Sequence, residues 1–299
     1  MGPVHERIAR WLTTEVGTSF SAAPAEPVHG GSINQCFRWP TADGAAFVKI
    51  GATGALASYT AEAEGLRELE RANALRVPGV LAVGEAHGYA VLALEWLDLS
   101  GDAEADAKCQ ARLGEGLAAQ HRVMAASCGW HRDNTIGATP QPNSRDEDWV
   151  RFFQQRRLGF QLDLAARNGL DAGVVDRGRQ LCERCGAFFS SYHPRPSLLH
   201  GDLWGGNAGR LAATGEPVVF DPAVYFGDRE TDLAMTRLFG GFGPAFYAAY
   251  QSAWPLDQAA GTRRTLYNLY HVLNHYNLFG GSHGRQAAGM IERLLAEFG

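Results

Sequence analysis

Apolar residues recur along this chain with two different periods. Residues 5–16 place Ile8, Leu12 and Val16 at helical spacing, the pattern of a short amphipathic helix. From 27 to 50 the texture changes, and VHGGSINQCFRW, TADG and AAFVKI read as strand, glycine turn, strand, an Asp-Gly hairpin turn and a further strand. The charged, Ala- and Leu-rich stretch YTAEAEGLRELERANAL at 59–75 returns to the helical period and is closed by Pro78-Gly79. VLAVGEA and YAVLALEWL follow as two strands joined at His87-Gly88. Beyond residue 100 helical spacing dominates, in 103–126, 146–168, 173–192, 229–239, 244–252, 261–278 and 284–298, with short strands near 209–220. A sheet-rich segment followed by a helical one predicts an α+β molecule of two lobes with a cleft between them: a smaller antiparallel-sheet lobe over 1–97 and a larger, mainly helical lobe over 98–299.

Composition excludes several classes of function. With 299 residues the chain can bury a core in each of two lobes, and 45% hydrophobic with 20% charged residues is the balance of a soluble globular protein. A net charge of -5 and the lack of a Lys/Arg stripe argue against a nucleic-acid partner. No uncharged apolar run reaches about 18 residues, and MGPVHERIARWL does not resemble a signal peptide, so the expectation is a cytoplasmic protein with no membrane partner. Five cysteines make an odd count and no disulfide framework. Cys182 and Cys185 stand in QLCERCGAFFSSY, where Leu181, Cys185, Phe188 and Tyr192 follow a helical stripe, so core packing is expected of them, not metal or redox chemistry.

The chemistry concentrates in LLHGDLWGGN, residues 198–207. Glycines this dense mark a loop whose backbone must come close to something. Asp202 and Asn207 are five apart, the offset of the H-R-D-x-x-x-x-N catalytic loop of protein kinases, and fourteen residues further VVFDP supplies Asp221. Phosphoryl transfer from ATP needs such parts: a carboxylate to accept the proton of the attacking hydroxyl, here Asp202, and hard oxygen ligands for magnesium, here Asn207 and Asp221. The same chemistry asks for a cation on the sheet lobe, and Lys49 in AFVKI stands on a strand after a glycine-containing turn. Glu62 and Glu64 compete as its partner, with Glu62 favoured. Gly31, Ser32, Ile33 and Asn34 fall where a turn would cover the phosphates, and ALEWL at 93–97, with Glu95 and Leu97, falls where an interlobe hinge would offer backbone groups to adenine. There is no G-x-x-x-x-G-K-[ST] phosphate loop. Together these residues predict a two-lobed, protein-kinase-like fold.

Several residues near this constellation have ordinary structural roles to weigh. His200 is expected to be a hydrogen-bonded core histidine, and Asp228 and Asp232 to cap and orient a helix. Trp204, two residues after Asp202, is a candidate for stacking on the acceptor or guarding its pocket. His131, with Arg132 and Asp133, is a candidate for the acceptor side, though helix capping and surface ion pairs explain a polar loop nearly as well. Cys36 beside the phosphate turn is expected to be buried, with oxidation sensing as the alternative.

Over nearly its whole length the chain resembles the fructosamine kinase family (ketosamine-3-kinases, protein-ribulosamine kinases), related to the aminoglycoside phosphotransferases. GGSINQ, FVK, the AEAEGLREL helix, GWHRDNTIG, PQPN with DW and RFF, RLGFQL, LLHGDLWGGN, FDPAVYFGDRETDLAM and the late FGGF carry the resemblance. HGD with its Asn is shared by many small-molecule kinases, whereas LWGGN together with HRDNTIG is far more specific. The resemblance implies Asp202 as base toward a sugar hydroxyl, Asn207 and Asp221 as magnesium ligands, and Lys49 with Glu62 as the phosphate-gripping pair. It implies transfer of the ATP γ-phosphate to the 3-hydroxyl of a ketosamine, either small or formed on a protein lysine. The unstable 3-phosphate then breaks down and frees the amine, a deglycation. The alternatives are an aminoglycoside or other small-alcohol phosphotransferase, and a kinase-like module that binds glycated protein without turnover.

Overall fold

Side chains alternate between the two faces of a strand, so Ala46, Val48 and Ile50 share one face and Phe47 and Lys49 the other. That alternation divides the first hundred residues into a sheet with a helix against each side. A computed structural model describes residues 2–22, 25–28, 35–100 and 106–298. The strands β1 (Glu26–Pro27), β2 (Gln35–Thr41), β3 (Gly44–Ala52), β4 (Val80–Ala86) and β5 (Tyr89–Glu95) form an antiparallel sheet in the order β1-β2-β3-β5-β4. Helix α1 (Gly2–Val16) buries Ile8, Ala9 and Leu12 against Phe37, Trp39, Val48, Ile50, Val91 and Ala93. On the opposite face α2 (Leu56–Ala72) buries Tyr59, Leu66 and Leu69 against Ala90, Leu92 and Leu94. Each such large side chain withdrawn from water contributes about 1.5–3 kcal/mol, which fixes which way β3 faces and hence where Lys49 points.

Two turns differ in detail from the expectation. The β2–β3 pair Thr41 with Gly44 leaves Ala42-Asp43 as the turn, and Gly44 (φ 135) opens β3, so the Asp-Gly dipeptide straddles the end of the turn. Helix α2 stops at Asn73, left-handed at φ 50 with its N–H on the Glu70 carbonyl, well before Pro78; asparagine tolerates that conformation. His87 (φ 51) and Gly88 (φ 84) are both left-handed, as a two-residue type I′ hairpin requires.

The C-terminal part is mostly helical. Helix α3 (Ala107–His121) is capped by Asp106, whose carboxylate accepts the Lys108 and Cys109 N–H groups. The helix expected over 146–168 is one run in three pieces: α4 (Trp149–Phe152), a π-turn over Phe153–Leu158, and α5 (Gly159–Arg167). Helix α6 (Ala172–Arg184) tightens into a 3₁₀ turn at Cys185–Phe189, and α7 (Glu230–Leu238), α8 (Pro244–Ala253), α9 (Ala260–Phe279) and α10 (His283–Ala296) complete the set. All five cysteines are free, and burial pushes the thiols of Cys182 and Cys185 up to about 11 and about 12. Small ladders lie among the helices: β6 (Asn134–Ile136) with β7 (Thr139–Gln141), β8 (Ser197–Leu199) with β11 (Tyr225–Gly227), and β9 (Ala208–Arg210) with β10 (Pro217–Val219). No helix among the described residues is long and apolar enough to cross a membrane.

A buried polar hub ties these pieces together. Asn134 donates to the Val224 carbonyl at 2.8 Å and accepts from Gln141 and Asn143, each at 2.8 Å. Arg157 in the π-turn donates to Asn143 Oδ1 at 2.7 Å and lies over the Tyr225 ring at 3.9 Å. The HRDNTIG text thus ends in a fastener between β6, β7 and β11.

His271 on α9 is buried, its Nδ1 has no partner among the described residues, and burial holds its pKa down to about 3. Below about pH 6.5 the unfolded chain therefore takes up a proton there that the folded chain refuses, and stability falls. Relative to His271→Gln, the wild type is expected to lose stability as pH drops below 6.5, with a slope that approaches about 1.4 kcal/mol per pH unit near pH 5, measured by urea unfolding. A pH-independent difference would contradict a neutral His271.

Candidate active site

The loop after β8 is shaped from beneath. Gly201 has φ 85, and a Cβ there would run into the Ala223 carbonyl oxygen, so only glycine lets the loop lie directly against the 221–223 segment. The His200 carbonyl accepts the Ala223 N–H at 2.8 Å, and its ring Nε2 donates to the Phe220 carbonyl at 3.1 Å. Burial pulls the His200 pKa below the ordinary histidine value, so this ring is a neutral structural strut, as expected.

Asp232, in the first turn of α7, does more than orient its helix. Its two carboxylate oxygens accept the backbone N–H groups of His200 and Gly201, both at 2.8 Å. Behind it a relay runs inward: Arg229 donates to Tyr250 Oη, Tyr250 to His121 Nδ1 at 2.8 Å, and His121 Nε2 to Asp232 at 3.1 Å. Burial works against the Asp232 charge, but the His121 hydrogen bond and the N–H donors outweigh it and hold the carboxyl below its usual range. Asp202 thus stands on a backbone fixed by a buried ionised group. The sequence signal for this was the Asp-x-x-x-Asp of FGDRETDLAM, which reads as capping when the fold is unknown.

Above that support the polar residues converge. Asn207 Nδ2 donates to the Asp202 carbonyl at 2.8 Å, to Asp202 Oδ2 at 3.3 Å and to the Asp221 carbonyl at 3.4 Å. Burial pushes the Asp202 carboxyl up to about 7, helped by the Asp221 charge and opposed by the Asn207 hydrogen bond. Asp221 is left-handed at φ 54, an uncommon state for a residue with a side chain, and its carboxylate accepts from Lys49 Nζ at 2.8 Å. Lys49 also donates to both oxygens of Glu62, at 2.8 and 3.0 Å. Burial would strip the Lys49 proton, but Glu62 and Asp221 outweigh it and keep the ammonium charged.

Glu64 points elsewhere. His131 and Arg132 hold its carboxylate at 2.7 and 2.9 Å, so the open choice resolves in favour of Glu62 as the partner of Lys49. His131 is engaged with the Glu64 carboxylate, where Arg132 makes the surface ion pair weighed for this loop, while Asp133 accepts the Asn143 N–H and caps no helix. Trp204 is exposed and meets the ring of Phe239 edge-on. Glu95 is tied within the sheet part: its N–H donates to the Gly79 carbonyl, and its carboxylate takes the Gly79 N–H and Arg76. Leu97 lies two residues past the last ladder pair, Ala46 with Glu95. Cys36 on β2 pairs in register with Lys49 on β3, and burial raises its thiol pKa. Gly31, Ser32, Ile33 and Asn34 lie outside the described residues.

The donor set suits magnesium on a nucleotide. Among the described residues no three His, Cys, Asp or Glu side chains form a cage for a metal ion. Asp221 offers a half-exposed carboxylate, and with its nitrogen committed to the loop Asn207 keeps Oδ1 as acceptor. One carboxylate and one amide oxygen are what a magnesium ion uses when phosphates and water fill its remaining positions.

An antiparallel sheet carrying a Lys–Glu pair, joined to a helical part carrying an HGD loop, an Asn and a further Asp, defines a phosphotransferase of the kinase-like fold. The chain belongs to the fructosamine kinase family, whose model matches residues 4–297 and whose members phosphorylate a hydroxyl. It is 42% identical to a probable ketoamine kinase of Synechocystis sp. over 97% of this chain and 96% of that one. It is 37% identical to the chloroplastic protein-ribulosamine 3-kinase of Arabidopsis thaliana, covering 96% of this chain and 87% of the relative. A candidate fructosamine-3-kinase from Haemophilus somnus, known from its crystal structure, superposes with a TM-score of 0.87 at 28% identity, covering 97% of each chain. An aminoglycoside phosphotransferase crystallised with ADP and hygromycin B shares the fold alone, with a TM-score of 0.64 at 14% identity over 97% of this chain and 98% of that one.

Proposed function

We propose that this protein transfers the γ-phosphoryl group of magnesium-bound ATP to the 3-hydroxyl of a ketosamine, a ribulosamine or fructosamine formed on a small amine or on a protein lysine, and so begins its deglycation. The observation that carries this reading is the family-wide match together with Asp202, Asn207, Asp221 and Lys49 meeting at one place. Asp202 orients the acceptor hydroxyl and takes its proton, a task suited to a carboxylate whose pKa burial has brought close to neutrality. Asn207 Oδ1 and Asp221 are the metal's protein ligands, and Lys49, braced by Glu62, is the cation for the phosphate oxygens. Bound magnesium supplies charge neutralisation on the phosphates. Residues 31–34 cover them, backbone groups of Glu95 and Leu97 meet adenine, and residues 1–97 and 98–299 act as the two lobes around the nucleotide. The protein works in the cytoplasm.

The test is phosphate transfer from labelled ATP with magnesium to ribulosyl-lysine, fructosyl-lysine and kanamycin. Transfer to a ketosamine is expected. Transfer to kanamycin alone would keep the kinase and discard the ketosamine.

Asp221→Ala removes a metal ligand and is expected to raise the magnesium concentration needed for ATP binding by about tenfold or more, on the order of 1.4 kcal/mol, in a titration at fixed nucleotide. An unchanged magnesium requirement would place that ligand elsewhere.

A further inference from the structure

Scattered exposed apolar side chains are normal, but three large ones here stand in a row. Trp204, Phe239 and Phe279 are 39%, 42% and 58% exposed. Trp204 meets Phe239 edge-on at 6.2 Å, Phe239 lies 4.7 Å from the ring of His275, and His275 lies 5.7 Å from Phe279. Contiguous exposed rings mark binding surfaces. The row begins two residues from Asp202 and runs from the end of α7 to the end of α9.

The row is built, not incidental. Gly205 donates its N–H to the Gly240 carbonyl at 3.2 Å, and a Cβ on either Gly205 or Gly241 would collide with the other's backbone. Gly240 and Gly241 are left-handed, at φ 78 and 92. These glycines press the Trp204 loop onto the end of α7 and bring Trp204 against Phe239, which gives the FGGF stretch a purpose. His275 donates Nδ1–H to the His271 carbonyl, and burial together with His283 keeps its pKa below the ordinary value, so the ring row carries no cation of its own.

We propose that this row recognises the amine half of the acceptor: the ring faces of Trp204 and Phe239 take the protonated secondary amine of the ketosamine, and Phe279 takes the carbon chain beyond it. This rests on the ketosamine reading above. Continuity with Asp202 places the row where the acceptor leaves the reacting hydroxyl, and aromatic faces attract an organic ammonium.

The experiment compares the ribulose adducts of methylamine and hexylamine, which share sugar and ammonium and differ only in chain length. Phe279→Ala is expected to lower the wild-type preference for the hexylamine adduct about tenfold, expressed in KM and not in kcat. Phe239→Leu, which keeps apolar area but removes the ring face, is expected to raise KM for both adducts about three- to tenfold. Leu81→Ala, an exposed apolar change on β4, serves as the control, and circular dichroism verifies folding of each variant. Turnover of both adducts with the preference unchanged in Phe279→Ala and KM unchanged in Phe239→Leu would overturn the inference and leave the kinase reading standing. Failure of the wild type to phosphorylate either adduct, or any other ketosamine, would remove that reading and this inference with it.

Discussion

Asp202→Asn is expected to lower kcat by about 10²–10⁴ while leaving the affinity for magnesium-ATP within about threefold of wild type. The substitution is close to isosteric, and the amide oxygen can still accept from Asn207 Nδ2, which now sits 3.3 Å from Asp202 Oδ2. His200, Gly201 and Asp232 lie beneath the residue and are untouched, so the loop keeps its shape. What is lost is the acceptor for the hydroxyl proton and the negative charge that orients it. Transfer through a loose transition state needs less from a base than from positioning, so the loss is large without being total. Steady-state kinetics with a nucleotide titration separate the two quantities, and full turnover in the variant would remove Asp202 from the reaction.

The second large effect is on stability. Asp232→Ala strips the His200 and Gly201 N–H groups of their acceptor and leaves Arg229 and the His121–Tyr250 relay facing a hole. Asp232 is 1% exposed, so water cannot readily replace it. Breaking a buried charged network from one side costs about 3–5 kcal/mol, and the unfolding midpoint in urea is expected to fall accordingly. Asp232→Asn keeps one acceptor oxygen and is expected to lose less. Because the same carboxylate fixes the backbone under Asp202, kcat is expected to fall even where the variant is fully folded. A loss under about 1 kcal/mol in Asp232→Ala would mean that the loop is held by other contacts.

Helix positions were readable in this sequence: α7 to α10 begin and end within about two residues of their predicted bounds; α8 and α10 bury one stripe, as helical spacing requires, whereas α7 and α9 are buried all round over Glu230–Thr236 and Leu266–Asn274. Three-residue strands such as β6, β7, β8 and β11 were not, since a period of two leaves no trace in so few positions. The π-turn at Phe153–Leu158 is likewise invisible to a helical pattern that it only locally unwinds. Within the site, Lys49, Asp202, Asn207 and Asp221 were nominated by order and spacing, because chemistry restricts residue type there. The choice between Glu62 and Glu64 needed three dimensions: both lie on α2, two residues apart, and only their partners separate them. Asp232 was read only as a helix cap, and of the ring row only Trp204 was nominated, for a related reason. A buried carboxylate under a loop and a line of rings drawn from three segments exist only after folding.

The most direct test of the central claim is the position of the transferred phosphate. With magnesium, ATP and ribulosyl-lysine, phosphorus–proton correlation spectra are expected to show a new phosphomonoester coupled to the sugar H3, followed by its decay with release of free lysine. A phosphate coupled to any other sugar proton, or ADP formation without a phosphorylated ketosamine, would contradict the account.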